Sequence, residues 1–426
     1  MKDMLGRDVV ITVDEARGKF DAAFRLPELR VERADITDAL GRVLADDIVS
    51  SVTLPAFARS SMDGYAVSAR DTYGATESMP AYLTLSGEVL MGEEAAEPVG
   101  KGQAVRLSTG GMLPPGADSV VMYEHAQLLD DGTLEVLRAV SPGENVVQPG
   151  DDVREGDTLL TAGHRLRPQD LGALAGIGVT AVAVYSKPVV AIINTGNEIV
   201  EASAAPKLGQ VRDVNSYNLA GLVEQAGGVP LRLGIFPDEY GAIRDAVVRG
   251  LESADIVAIT GGSSVGTRDL TSGVIDELGR SSGGEGGVLV HGVSVKPGKP
   301  IIIGIVSGKP VFGLPGHPVA VSVSFMLFMR SLIKRLSGEV DPLGIAGIPP
   351  VRVVRALMAR NYSSAPGRED HLRVSLELVD GELLARPVLG KSGLISTLVR
   401  AHGTVVIPLA KLGLSKGEAV EVELFD

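Results

Sequence analysis

The apolar positions along this chain change period several times, and each change marks a change of element. Thr12-Val-Asp-Glu15 sets Glu three residues after Thr, a capping box, and predicts a helix through about Phe24. Helical spacing resumes near Ile36 to Leu44. From Asp47-Ile-Val-Ser-Ser-Val-Thr-Leu-Pro55 to about Ser141 the runs are short and alternating, broken by Gly and Pro; Tyr82-Leu-Thr-Leu-Ser, Gln103-Ala-Val-Arg-Leu and Ser119-Val-Val-Met-Tyr are examples. They predict a small β-rich unit inserted into the first one. A helix over Pro168–Gly176 returns the chain to mixed structure.

Strands and helices then alternate. The pattern gives strand Val189–Asn194, helix from about Ser216 to Ala226 closed by Gly227-Gly228, strand Leu231–Phe236, helix Tyr240–Glu252 and strand Ile256–Thr260, with helical spacing over Leu270–Leu278. Such alternation predicts a doubly wound parallel sheet. Pro300 to Leu314 reads as a hairpin turning at Ser307-Gly308, and Pro318 to Leu336 as a long buried helix. After a linker marked by Asp341-Pro342 and Pro349-Pro350, the tail alternates again and predicts a small β-barrel or sandwich. The expected division is a first domain in two segments, 1–50 and 143–184, around an inserted β-rich domain at 51–142, followed by an α/β domain at 185–338 and a β domain at 339–426.

Composition narrows the classes. With 426 residues, 45% of them hydrophobic, the chain has enough apolar material for several cores. The absence of cysteine excludes disulfides, thiolate metal sites and a Cys nucleophile. A formal charge of -13 argues against nucleic acid or anionic membranes as partners, so positive charge that meets an anion must be local. The apolar run Pro318–Met329 falls short of the ~20 residues that span a bilayer. The start of the chain lacks the apolar core of a signal peptide, and a cytoplasmic location is expected.

The candidate chemistry collects where strands end. Thr260-Gly-Gly-Ser-Ser-Val-Gly-Thr-Arg-Asp269 joins a strand to a helix through glycines, an arrangement that aims backbone N–H groups at an anion. It is neither a Walker A loop nor a G-x-G-x-x-G fingerprint. Asn194-Thr-Gly-Asn-Glu198 and Phe236-Pro-Asp238-Glu239 leave the other strand ends, and each loop brings an acid to one rim. Asp238 and Asp269 read either as helix caps or as part of an Mg²⁺ site, since hard oxygens beside phosphates suit that ion. Val295-Lys-Pro-Gly-Lys-Pro300 puts Lys296 and Lys299 on a turn, which is either solvated or a phosphate contact. Gly313-Leu-Pro-Gly-His-Pro318 is a tight turn into a helix whose N–H groups could also meet an anion, with His317 more simply a turn residue. The residues alone thus reach an anion-binding α/β enzyme.

The ordered set Ala39-Leu-Gly-Arg-Val-Leu-Ala45, Ser61-Met-Asp-Gly-Tyr-Ala-Val67, Leu107-Ser-Thr-Gly-Gly111, Pro115-Gly-Ala-Asp-Ser-Val-Val121, Gly143-Glu-Asn-Val146, Asn194–Glu198, Gly261-Gly-Ser-Ser-Val-Gly266, Lys296–Pro300 and Leu314-Pro-Gly316 resembles the MoeA family of molybdopterin molybdenumtransferases, which includes the gephyrin E domain. The resemblance spans nearly the whole chain. It implies a helical domain I, an inserted β-rich domain II, a MogA-like α/β domain III and a C-terminal β-barrel. It also implies an elongated homodimer that takes adenylylated molybdopterin and molybdate, inserts the metal and releases AMP with Mg²⁺.

By position, the resemblance implies catalytic roles for Asp63, Glu198 and Asp269, with Glu198, Asp238 and Asp269 on the metal. Thr109 and Gly110 match the family's Thr-Gly loop. Gly196, Gly261, Gly262 and Ser264 would position phosphates. Lys296, Lys299, Pro315, Gly316, Arg368 and Ser396 would contact substrate or oxyanion. A MogA-like adenylyltransferase and cofactor-accepting apoenzymes are the implied protein partners. Departures from the pattern are Ala58-Arg59 after Phe57, Asn197 in place of an Asp, and His317 where Asn or Tyr is more usual. They leave tungstate as an alternative to molybdate. A non-catalytic scaffold and a MogA-like adenylyltransferase are competing readings. Retention of the rim acids disfavours the first, and the Met-Asp-Gly domain and barrel are unexplained by the second.

Overall fold

The computed structural model describes residues 10–95, 97–129, 132–261, 265–281, 286–339 and 352–425, with backbone alone at 265–268. Helix α1 covers Val13–Ala23 and begins with the expected capping box, in which Thr12 and Glu15 exchange hydrogen bonds. The helix expected over Ile36–Leu44 does not form; a single 3-10 turn at Ile36–Asp38 replaces it. Gly41 at φ 71° turns the chain there. Beyond it Val43 and Leu44 run extended, bridging to Arg165 and Val184; both are buried, and Leu44 sinks into a core with Leu166, Leu174 and Val182. Burial of both apolar neighbours overrides the helical spacing. Helix α2, Pro168–Gly176, closes it.

Between these segments lies a six-stranded sheet in the order Ser119–Met122, Gly64–Val67, Gln103–Leu107, Ala81–Val89, Thr133–Val136, Ala126–Leu128. Its strands bury separate apolar clusters on their two faces, one around Tyr65, Val67, Leu83 and Leu134, the other around Ala66, Val105 and Leu107.

The α/β sheet runs Val229–Phe236, Val189–Thr195, Ile256–Gly261, Lys309–Leu314, Ile302–Val306, Gly287–His291. The first four strands are parallel, and the remaining two complete the sheet antiparallel. Ser307 and Gly308, both with positive φ, make the hairpin turn. Helices α1, α3 (Asn215–Gln225), α6 (Pro318–Ser324) and α7 (Arg330–Leu336) cover one face; α4 (Tyr240–Ser253) and α5 (Val265–Ser281) cover the other. Chain order leaves the Val189–Thr195 strand to one side and returns on the other at Ile256–Gly261. The adjacent carboxyl ends of these two strands are therefore the switch point where such sheets bind ligands.

The long helix beginning at Pro318 is interrupted by a π segment, Phe325–Met329. Arg17 of α1 donates from Nε and Nη2 to the Leu327 carbonyl at 3.2 and 3.1 Å, occupying an oxygen inside that segment. The tail forms a closed five-stranded barrel: Glu369–Val379, Glu382–Pro387, Val353–Met358, Ala419–Leu424 and Gly403–Ile407, the last pairing back onto the first. The Pro-rich linker expected between α/β domain and barrel lies outside the described residues. Among the described residues no helix is long and apolar enough to cross a membrane.

Phe312 sits at the centre of the larger core, 1% exposed, with Phe20 of α1 tilted against it at 6.1 Å. Phe312→Ala should lower the stability of this domain by about 3–5 kcal/mol, because the surrounding sheet and helices cannot collapse into the space. Urea unfolding measures this, and a loss below about 1 kcal/mol would contradict the packing described.

Candidate active site

The switch point is built by close backbone approach. Gly261 has φ 121°, and a Cβ there would lie 1.9 Å from the Thr195 carbonyl oxygen, so only glycine lets the two strand ends meet. Gly196 donates its N–H to the Phe236 carbonyl at 3.2 Å, and the Asp238 N–H reaches Asn197 Oδ1 at 3.3 Å. The three loops are thus fastened to one another. Gly316 rests on the same spot, since a Cβ on it would come within 3.5 Å of the Gly261 carbonyl carbon. Pro315 beside it is buried.

A layer of buried polar side chains under this rim sets its shape. Asn215 donates to Thr260 Oγ1 at 3.0 Å and to the Gly316 carbonyl at 2.8 Å. Asn194 donates to Asp213 at 2.7 Å, and Asp213 also accepts the Ser216 N–H at the start of α3. The sheet end, the first turn of α3 and the Pro315-Gly316 turn are held as one unit.

The rim acids are less gathered than the resemblance implies. Glu198 and Asp269 are exposed and Asp238 half-buried. A Cβ on Gly196 would lie 3.0 Å from Glu198 Oε2, so this carboxylate lies beside that glycine. Asp269 is not a helix cap, because α5 already begins at Val265. The N-cap residue of α4 is Glu239 rather than Asp238. Among the described residues no three carboxylate or imidazole side chains stand together as a ready metal site. Carboxylates on neighbouring strand-end loops still fit Mg²⁺, which commonly takes one or two carboxylates and fills its octahedron with phosphate oxygens and water. Gly262 and Ser264 lie outside the described residues.

Lys296 reaches toward the barrel. Val295-Lys296 pairs in parallel with Glu369-Asp370, adding a strand from the α/β domain to the barrel sheet. The Lys296 ammonium donates to Asp370 Oδ2 at 2.6 Å and to the Tyr362 hydroxyl at 3.2 Å. Burial pulls its pKa down, but Asp370 and Tyr362 outweigh burial and raise it above the ordinary lysine value. The aspartate is 2% exposed and also accepts the Ser364 hydroxyl at 2.8 Å. Lys296 and Asp370 open onto a cavity of about 230 Å³ whose wall includes Tyr362, Arg373, Lys391 and Ser392. Arg373 is 8% exposed; one terminal nitrogen donates to the Gly390 carbonyl at 3.1 Å, while its buried Nε has no hydrogen-bond partner. Burial lowers the pKa of this guanidinium. A buried cationic donor left without an acceptor is costly, and the residue that carries it forms part of the cavity wall.

This cavity adds Arg373 and Ser392 to the candidate barrel residues. Arg368 is half-buried and Ser396 exposed at the start of the short helix α8 (Ser396–Val399), and neither lines the cavity as Arg373 and Ser392 do. Arg368 stands in a recognisable Pro-Gly-Arg turn, whereas Arg373 looks like an ordinary strand residue until the barrel closes around it. Lys299 lies on the same turn as Lys296, half-buried and outside this cavity wall.

Asp63 and Thr109 meet on the inserted sheet. The Thr109 N–H and hydroxyl both donate to Asp63 Oδ1, at 2.7 and 3.1 Å, and both residues are exposed. Gly110 donates to the Ser60 carbonyl at 2.8 Å, closing the turn behind them. This is an outward-facing carboxylate held in one orientation, on a different sheet from the strand-end loops.

Comparison with known proteins agrees with this geometry from end to end. Family models described as the MoeA N-terminal region (domain I and II), a probable molybdopterin binding domain and the MoeA C-terminal region (domain IV) match residues 11–178, 191–335 and 355–425. A molybdopterin molybdenumtransferase of Haemophilus influenzae is 31% identical over 98% of this chain and 99% of its own. The chain belongs to the MoeA family of molybdopterin molybdenumtransferases. One of Bacillus subtilis is 32% identical over 99% of this chain and 95% of its own. The crystal structure of a molybdopterin biosynthesis MoeA protein from Pyrococcus horikoshii superposes with a TM-score of 0.82 at 32% identity, covering 98% of this chain and all of that one. Like its transferase relatives, the protein is an enzyme.

Two predictions test the junction. Asp370→Asn leaves the half-buried Lys296 ammonium without its counter-charge and should cost on the order of 3 kcal/mol, read as a drop in the denaturation midpoint; an unchanged midpoint would contradict the pairing. Glu369 is held below its ordinary value of 4.5, chiefly by His371 at 2.7 Å. A lowered carboxylate stabilises above its unfolded pKa, and that contribution disappears as pH falls through the lowered value. Below about pH 4.5 the wild type should therefore lose stability more steeply than Glu369→Gln; parallel curves would refute the assignment.

Proposed function

We propose that this transferase takes adenylylated molybdopterin and a tetrahedral oxyanion, molybdate in the first instance, and releases AMP as the metal is inserted at the dithiolene. The observation that carries this reading is the pairing of two subsites. A glycine-lined rim at the sheet's switch point suits the pyrophosphate of an adenylylated substrate. Beside it, a cavity walled by Lys296, Arg373 and Ser392 suits a small dianion. In a chain of charge -13, these cations are the local exception that an anionic ligand needs.

Glu198, Asp238 and Asp269 would hold Mg²⁺ against the pyrophosphate, where the ion would neutralise charge on the departing phosphate. The backbone at Gly196, Gly261 and Gly316 would orient the phosphates, and Lys296 and Arg373 would place the oxyanion. Asp63, fixed by Thr109, faces outward and would complete the site of a second copy in a homodimer. Tungstate has the same shape and charge as molybdate, and discrimination between them would rest on the cavity wall.

The test is AMP release by purified protein with Mg²⁺ and adenylylated molybdopterin, comparing molybdate, tungstate and no oxyanion. Release that depends on one of the two supports the reading and names the metal. Asp269→Asn should reduce it by 10²-fold or more, the usual scale for losing a group that stabilises developing charge. No release with either oxyanion, from a folded protein, would contradict it.

A further inference from the structure

One residue adjoins both halves of this arrangement. His317 stands between the Gly316 turn, which rests on Gly261, and the loop 390–392 that forms the lip of the oxyanion cavity. Its Nδ1 lies 2.9 Å from Ser392 Oγ. The Val319 N–H, two residues on, donates to the Ser392 carbonyl at 3.2 Å. These two bonds fix the ring relative to the cavity lip. The ring remains exposed. Gly393 leaves its outer edge uncovered: a Cβ added there would sit 3.5 Å from Cδ2 and 3.8 Å from Nε2.

From this placement we infer that His317 is a ligand-contacting residue joining the two subsites, its Nε2–H donating to an anionic oxygen of the bound substrates. The inference rests on the function proposed above. In the tautomer that accepts the Ser392 hydroxyl at Nδ1, Nε2 carries the ring proton and presents a donor at the open edge. The shared ligand chemistry is a tetrahedral oxygen anion, which either the oxyanion substrate or the phosphate of the nucleotide could supply.

Two substitutions separate the tie from the contact. Asn at 317 reaches about as far as Nδ1 and can keep the Ser392 bond, but has nothing at the Nε2 position. Gln reaches the Nε2 position with an amide nitrogen and gives up the Nδ1 geometry. Sodium molybdate and AMP are titrated separately by calorimetry into wild type, His317→Asn, His317→Gln and Gly393→Val, with melting temperatures as a folding control. We expect His317→Asn to weaken one of the two anions by about tenfold or more, the scale of a lost hydrogen bond to a charged group, and His317→Gln to recover part of that loss. Gly393→Val keeps His317 and its Ser392 bond but crowds Nε2, and should weaken the same anion. Which anion responds identifies the source of the contacted oxygen. Unchanged binding by His317→Asn overturns the inference, as does equal loss in the Asn and Gln variants. Wild-type protein that binds neither anion overturns this inference together with the function on which it rests.

Discussion

The ion pair between Lys296 and Asp370 is the constraint on which the site depends. It lies where a two-residue strand of the α/β domain joins the edge of the barrel, so it fixes both the distance and the register between the two domains. Net stabilisation is not its main consequence, because desolvating the two charges offsets much of their attraction. Its consequence is specificity of placement: Tyr362 and Ser364 converge on the same carboxylate, and a slip by one residue would leave Asp370 buried and uncompensated. With the domains held in this way, Arg373 and Ser392 of the barrel open beside the strand ends of the α/β sheet, and neither domain alone supplies the whole arrangement.

The rim beside that cavity obeys a different rule. Its precision comes from the absence of side chains at Gly261 and Gly316 and from buried amides beneath them. Asn194 and Asn215 each keep a carbonyl oxygen that is buried without a hydrogen-bond partner, a cost that an entirely apolar layer would avoid. In exchange, the polar layer ties the sheet, α3 and the Pro315-Gly316 turn into one rigid shelf. A shelf of this kind keeps backbone donors fixed before a ligand arrives, so little reorganisation accompanies binding.

Much of this was legible in the chain because local rules and tertiary packing agree. The capping box at Thr12, the strand and helix periods from Val189 onward, and the Ser307-Gly308 turn needed no knowledge of distant residues. Ile36–Leu44 misled because its apolar spacing serves burial of Val43 and Leu44 in an extended segment. The Asp63–Thr109 pairing follows from two turns that carry recognisable Asp-Gly and Thr-Gly pairs, although only the folded sheet puts them within 2.7 Å. Arg373 could not be read in advance: its value lies in burial and in what closes around it. Ser392 likewise gains meaning only through His317, 75 positions away in the sequence.

The central claim is that a tetrahedral oxyanion binds in the cavity between the α/β domain and the barrel. The most direct measurement is a crystal of the protein soaked in sodium tungstate, with the heavy atom located by anomalous scattering. The account predicts one strong peak within hydrogen-bonding reach of Lys296, Arg373 and Ser392, and loss of that peak in Arg373→Ala. A peak elsewhere with this cavity bare, or one that survives Arg373→Ala unchanged, would contradict it.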